Sequence, residues 1–477
     1  HVVALRLQAQ AQFGLGRLDE ADAVLQDALA RFEAQRDALD DAADRVGLFA
    51  SNGELYASLA RVALARGDTL EAFATVERGR ATARRDDDAP PIDSLQTRLR
   101  DDDAALVLFN DPRADPLVAF VLDGRTVRAT EIGDLAPLRA DARTVDRLLA
   151  AGEDLEACAP ILRRLGEAIA RPIATGLPDT IERTYLVAPS ALVGLPFELL
   201  TIDPVTRWED RFATSLLPNA RALATLAERP VAAAGFLGFA DPESDVAAQE
   251  EGPLPASTSR AAARTPLPHA RREVAAVAPA ASAIRAGREA TRSSLIEGLA
   301  AGPAVAHLAT HAVVDALDGG RSALVLADDE TLSASEILDL DLRQDLVVLS
   351  GCSTFGRDRV FGEGWLGLPR AFLAAGARSV LSTRWDVDDA GARRFVEFYY
   401  EALRDGLPRD AALNSARARA RDVGMPARDW AAFVLSGLGG EPVAAVQGTR
   451  PPRSTPWTWV LGGALVAGLA VVAWRRA

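Results

Sequence analysis

The chain has 477 residues, 49% apolar and 25% charged, with a net charge of −14 and a pI of about 5.0. That length exceeds one hydrophobic core and calls for about two to four domains. The composition excludes a disordered chain, and the acidic balance excludes a general attraction to nucleic-acid phosphates, so no nucleic-acid partner is expected. Two cysteines, Cys158 and Cys352, are too few for a disulfide framework and lack metal-ligand spacing. A reducing compartment, no metal and no cofactor follow as expectations. The non-histidine basic side chains are all arginine, which with the abundant Ala, Asp and Gly reads as the coding bias of a GC-rich bacterium. The chain starts at His1 without a methionine and reads as a fragment or a processed product.

Residues 1–85 carry a helical pattern without proline. Small residues stand where two helices would cross closely, and Gly16 marks the turn between them. The turns Gly16-Arg17-Leu18-Asp19-Glu20-Ala21 and Gly67-Asp68-Thr69-Leu70-Glu71-Ala72 resemble those of the tetratricopeptide repeat, although they lie 51 residues apart (67 − 16). Two such repeats make a poor solenoid, so further copies upstream are expected. A polar break at Arg84–Pro91 opens a linker expected over 86–103.

Beyond it, the apolar runs at 104–109 and 117–122 read as a β-hairpin around Asn110-Asp111-Pro112-Arg113. A helical stretch over 138–170 and a strand at 185–189 follow. From Gly235 onward, strand patterns at 235–240, 304–310, 322–327, 346–350, 378–383 and 433–435 alternate with helical ones near 270–280, 291–300, 364–375, 389–404 and 408–422. Such βα alternation implies a largely parallel sheet flanked by helices. Residues 441–456, with Pro442, Pro451 and Pro452, read as a linker. Trp457–Trp474 is an 18-residue run without charge, followed by Arg475-Arg476. At 1.5 Å per residue it would extend roughly 27 Å, and it is expected to be a transmembrane helix that tail-anchors the protein with its catalytic domain in the cytoplasm.

Reactive groups of an open α/β sheet collect beyond the carboxyl ends of its strands. His311 follows the apolar run 304–310 and Cys352 follows 346–350, so sheet geometry can bring both to one edge. A thiolate nucleophile and an imidazole that takes and returns its proton are the parts of a cysteine hydrolase. The bland alternatives are a structural histidine and a small buried hydrophobe. His307 competes as base but lies inside its strand, where it supports the site from behind. Asp315 and Asp318 are the candidates for orienting the imidazole. The backbone N–H groups of Cys352 and Ala312 are the candidate oxyanion donors. Gly362-Glu363-Gly364 lacks the strand–loop–helix spacing and the lysine of a phosphate loop.

Several linked motifs resemble the CHAT domain, the caspase-like domain associated with tetratricopeptide repeats. They are His307-Leu-Ala-Thr-His311, Leu349-Ser-Gly-Cys352-Ser-Thr, Gly362-Glu-Gly364-Trp-Leu-Gly-Leu368-Pro-Arg-Ala-Phe372, and Ser379-Val-Leu-Ser-Thr-Arg-Trp385-Asp-Val-Asp388-Asp389. Leu195-Pro196-Phe197-Glu198 and Leu267-Pro268-His-Ala-Arg-Arg-Glu273 extend the likeness over roughly 104–440, with 104–230 as an N-terminal part and 231–440 as the catalytic part. The resemblance implies a caspase–haemoglobinase fold with His311 and Cys352 as its dyad. Ala312 departs from the glycine often found after that histidine. Among Asp386, Asp388 and Asp389, Asp386 is a candidate for a pocket that selects a basic substrate side chain, against the alternative of helix capping.

The function expected from the sequence is therefore a membrane-tethered cysteine endopeptidase acting on protein or peptide substrates, with a regulatory protein bound through its repeats. A catalytically silent protein-interaction scaffold is the alternative.

Overall fold

The computed structural model describes residues 2–38, 54–80, 91–110, 116–189, 191–243, 267–280, 282–315, 319–351, 354, 358–359 and 365–448. Helices α1 (Val2–Gly14) and α2 (Leu18–Asp37) form one hairpin, and α3 (Glu54–Ala65) and α4 (Thr69–Arg80) form a second. Their turns repeat bond for bond. Gly16 and Gly67 both adopt positive φ, 74° and 80°. Gly16 N–H donates to Phe13 O (2.9 Å) and Arg17 N–H to Gln12 O (3.0 Å), while Gly67 N–H donates to Leu64 O (3.0 Å) and Asp68 N–H to Ala63 O (2.9 Å). A left-handed residue at the helix end lets the next N–H groups turn back onto orphan carbonyls, and glycine adopts it without strain. Ala9, Ala21 and Ala28 are buried where the first hairpin closes.

The second hairpin belongs to the main core. Phe73 meets Phe120 edge to face with ring centroids 6.3 Å apart. The buried Glu77 carboxylate accepts from Ala220 N–H (2.9 Å) and Arg221 N–H (2.8 Å), and Arg80 Nη2 donates to Phe109 O (2.8 Å). Part of the stretch expected as a linker is the helix α5 (Ile92–Asp101), which buries Leu95 and Leu99.

The sheet begins with β1 (Ala104–Phe109), β2 (Leu117–Leu122) and β3 (Val127–Gly133), an antiparallel meander whose first two strands are the expected hairpin. Helices α6 (Leu135–Ala150) and α7 (Leu155–Leu165) lead to β4 (Arg183–Val187), β5 (Ala213–Leu216) and the short α8 (Arg221–Ala227). The second half runs β6 (Phe236–Pro242), α9 (Pro268–Val277), β7 (Ala283–Gly287), α10 (Arg292–Ala300) and β8 (Val305–Ala309). After β9 (Ala312–Val313), β10 (Ala323–Val325) and β11 (Thr331–Ser333) come β12 (Leu346–Leu349), β13 (Asp358–Arg359), β14 (Trp365–Leu366) and α11 (Leu368–Ala375). The chain closes with β15 (Ser379–Thr383), α12 (Asp389–Arg404), α13 (Arg409–Asp422) and β16 (Phe433–Gly437).

Eleven strands make one sheet in the order β3-β2-β1-β4-β5-β16-β15-β12-β8-β6-β7. Its pairings are parallel except β1–β2, β2–β3 and β15–β16. The fully buried runs of β1, β8, β12 and β15 fit a sheet covered on both faces. The run expected as a sheet strand at 322–327 departs from this plan: β10 pairs with β9 and β11 in a separate antiparallel sheet. Residues 441–448 of the second expected linker also pack inward, burying Val443 and Val446.

The tail anchor and the membrane localisation expected from Trp457–Trp474 are corrected here. No helix among the described residues is long and apolar enough to cross a membrane, and 457–474 lie outside those residues. Length alone does not qualify a helix. The 20-residue α2 is long enough, but it carries Asp19, Glu20, Asp22, Asp27, Arg31, Glu33, Arg36 and Asp37.

One buried ion cluster joins the two halves of the sheet. Glu198, 3% exposed, accepts from Arg384 Nη1 (2.6 Å) and Nη2 (3.1 Å) and from Arg417 Nη2 (2.8 Å). Burial opposes ionisation of Glu198, and the two guanidinium groups outweigh it and hold its carboxyl below the ordinary range. Glu198→Gln removes the charge that both arginines face, so it should destabilise the fold by about 3–5 kcal/mol. The depressed carboxyl contributes stability that is complete above its unfolded pKa of about 4.3 and is lost as pH falls below it. Denaturant midpoints taken between about pH 5 and pH 3 should therefore fall steeply for the wild type and more gently for the variant.

Candidate active site

Two neighbouring parallel strands end side by side, one just before His311 and the other just before the segment that holds Cys352. β8 and β12 pair with Leu308 opposite Leu349, and Ser350 N–H continues the ladder onto Leu308 O (3.2 Å). Beyond that bond the chains touch more closely still. A Cβ built on Gly351 would lie 1.9 Å from Thr310 O, so only glycine fits there. Gly351 precedes Cys352 and Thr310 precedes His311. Cys352 itself lies outside the described residues, as do Asp318, Ser353 and Gly362-Glu363-Gly364.

The flanks of Cys352–Ser353 are fastened to the end of β15. The Thr383 hydroxyl donates to Gly351 O (2.6 Å), and Thr383 N–H donates to Thr354 Oγ1 (3.0 Å). Thr354 Oγ1 also reaches back to Leu349 O (3.3 Å). Both threonine side chains are buried. One residue of β15, through its hydroxyl and its backbone N–H, thus holds the chain on either side of the candidate nucleophile.

On the histidine side, the small sheet does the holding. The Thr310 hydroxyl donates to Val325 O (2.5 Å), and Val325 N–H donates to His311 O (2.9 Å). That bond makes Ala312 opposite Leu324 a non-hydrogen-bonded pair, so the Ala312 N–H takes no part in the ladder with β10. His311 is partly buried. Asp315 is buried, and its N–H donates to the Ser322 hydroxyl (3.2 Å).

His307 is wholly buried inside β8, away from the edge. Its Nε2 is 2.8 Å from Glu273 Oε1 and its Nδ1 is 3.1 Å from the Tyr400 hydroxyl. The Ser350 hydroxyl donates to the same Glu273 oxygen. Glu273 and Tyr400 were outside the candidate residues read from sequence. Glu273 ends the motif that begins at Leu267, and nothing in its spacing announces a partner 34 residues away.

The acidic run after β15 divides by use. Asp388 caps α12, accepting from Ala390 N–H (3.1 Å) and Gly391 N–H (3.2 Å), and Asp389 accepts from His269 N–H (2.8 Å). The Asp386 side chain is exposed, while its carbonyl accepts from Arg428. Trp385 is buried, with its indole N–H on Arg428 O (2.8 Å), which makes it a packing residue. Cys158 is buried on α7, and burial together with Glu153 pushes its thiol up. No three or more His, Cys, Asp or Glu side chains among the described residues cluster to hold a metal ion.

A sheet of this order, with helices on both faces, is a caspase-like α/β fold, and it is similar to a solved one. The likeness to Saccharomyces cerevisiae separase, crystallised as a separase–securin complex, has a TM-score of 0.52 at 11% identity and covers 88% of this chain and 38% of that one. A looser likeness, TM-score 0.40 at 9% identity over 65% of this chain and 75% of the other, is to the Arg-specific cysteine proteinase gingipain R. The chain belongs to the CHAT domain family, whose profile matches residues 159–438. Tetratricopeptide repeat protein 28 is 39% identical over 108 residues in Homo sapiens and 40% identical over 108 residues in Mus musculus. Each match covers 22% of this chain and 4% of those much longer proteins. Their names support the association with tetratricopeptide repeats and lend nothing to a bacterial origin.

Thr383→Val keeps the shape of the side chain and removes the hydroxyl between Gly351 and Thr354. Urea unfolding should show a loss of about 1–2 kcal/mol with an unchanged m-value.

Proposed function

We propose that the chain is a cysteine endopeptidase with Cys352 as nucleophile and His311 as its general base and acid. The observation that carries this reading is the approach of Gly351 to the Thr310 carbonyl, because the next residue in sequence after each is one half of the proposed dyad. In this mechanism the Cys352 thiolate attacks a peptide carbonyl, forming the S–C bond, and the Cys352 and Ala312 N–H groups receive the oxyanion. The His311 imidazolium gives its proton to the departing amine as the C–N bond breaks. Water then loses a proton to the same imidazole and attacks the thioester, and the thiolate leaves.

Asp386 is proposed to recognise a basic substrate side chain. Its neighbours Asp388 and Asp389 are engaged in capping and in binding the backbone, whereas the Asp386 carboxylate is exposed beyond β15. The helical repeats are proposed to receive a regulatory protein. The structural neighbour from yeast was crystallised with a protein partner, securin, which is consistent with partner control.

An electrophilic peptide probe with a basic residue at the reactive position should label Cys352 and spare Cys158, as read by peptide mass mapping. His311→Ala should reduce labelling by about 10²-fold or more, within the range attributed to general acid–base assistance. Asp386→Asn should weaken the basic-probe reaction and leave a neutral probe unaffected. Failure of the wild type to react with any probe, partner present, would replace this reading by that of a silent interaction scaffold.

A further inference from the structure

We propose that Glu273 is a positioning residue: its buried carboxylate locks the register of the two strand ends that lead to His311 and Cys352, acting through His307 and Ser350. The four side chains of this network come from four elements. Glu273 stands on α9, His307 on β8, Ser350 just after β12 and Tyr400 on α12. Glu273 is 1% exposed and His307 0% exposed, so the carboxyl and the imidazole are shut off from water, while Ser350 is half-buried at the strand end. A carboxyl held this far from solvent can satisfy its oxygens only with partners inside the protein.

The donors are what make the arrangement specific. His307 Nε2 faces Glu273 and its Nδ1 faces the Tyr400 hydroxyl, so a ring proton assigned to Nε2 is donated to Glu273 and leaves Nδ1 to accept from Tyr400. The His307 and Tyr400 rings also stack, with centroids 5.5 Å apart and an interplanar angle of 19°. Ser350 gives its hydroxyl proton to the same Glu273 oxygen that His307 uses. One oxygen is therefore shared by adjacent strands at a point one residue short of Gly351.

Backbone bonding alone does not supply this constraint. A parallel ladder is periodic, and a slip of two residues returns every side chain to its original face. The common acceptor breaks that degeneracy, because only one register of β8 against β12 brings His307 and Ser350 to Glu273 together. The consequence for catalysis rests on the dyad reading above, but the constraint on register does not.

Hydrogen exchange of the full chain tests it, with peptides spanning 305–313 and 346–354 as the readout. Ser350→Ala and Glu273→Gln should speed exchange in both peptides by about tenfold, while β1 and β4 stay protected. Ser350→Thr, which keeps the hydroxyl, should restore most of the protection. Unchanged exchange in Ser350→Ala overturns the proposal, and so does a loss of protection spread evenly over the whole sheet. If Glu273→Gln does not fold, the two Ser350 variants decide alone. Labelling of Cys352 in the same samples separates the two ideas: an unreactive wild type with strand-end exchange responding as expected removes the peptidase reading and leaves the positioning role standing.

Discussion

The approach of Gly351 to the Thr310 carbonyl is the constraint on which the candidate site depends. No side chain fits in that gap, so the strands β8 and β12 meet as bare backbone just where each gives up its ladder. Parallel pairing places both carboxyl ends at the same edge, and the glycine brings them to van der Waals contact. Everything else near the edge holds this contact in place: the Thr383 hydroxyl from one neighbour, the small sheet beyond His311 from the other, and the Glu273 network from beneath.

Three buried carboxylates tie distant parts of the chain together, and each does so with a different kind of donor. Glu77 takes two backbone N–H groups at the start of α8, Glu198 takes two guanidinium groups, and Glu273 takes an imidazole and a hydroxyl. Burial alone pushes a carboxylate toward its neutral form, and the donors decide the outcome. For Glu77 burial prevails and the carboxyl stays above its ordinary range, whereas for Glu198 the two full positive charges prevail. Such groups add little net stability compared with well-packed apolar residues. What they supply is discrimination, since each is satisfied in one relative placement of its elements and orphaned in others.

The legible parts of the fold were those whose signal is local. Continuous apolar runs marked β1, β2, β8, β12 and β15, and the glycine turns marked both helical hairpins. The missed strands have no such signature: β3 alternates exposed and half-buried residues, β7 is an exposed edge, and β5 spans only Ala213–Leu216. The run that became β10 is as apolar as a sheet strand, but its partners are the strand just after His311 and a polar strand, and such pairing leaves no mark in hydropathy. The candidate positions His311 and Cys352 stand out in the sequence because each follows an apolar run. Glu273 and Tyr400 were not, because their roles exist only once α9 and α12 pack on the same face of the sheet. The apolar run at 457–474 shows the opposite error, in which a strong local signal led to a membrane assignment that the described helices do not support.

The same physics changes how the repeats relate to the rest of the molecule. A module joined by a flexible linker could bind a partner without affecting the sheet. Here the second hairpin contributes Phe73 and Val76 to the main core, Glu77 caps α8, and Arg80 holds the last carbonyl of β1. The first hairpin packs on the second through Leu55, Tyr56 and Leu59. Displacing it would disturb side chains whose neighbours are already part of the sheet's core. The repeats and the sheet are therefore packed as one body, with the second hairpin inside the core that also holds β8 and β12.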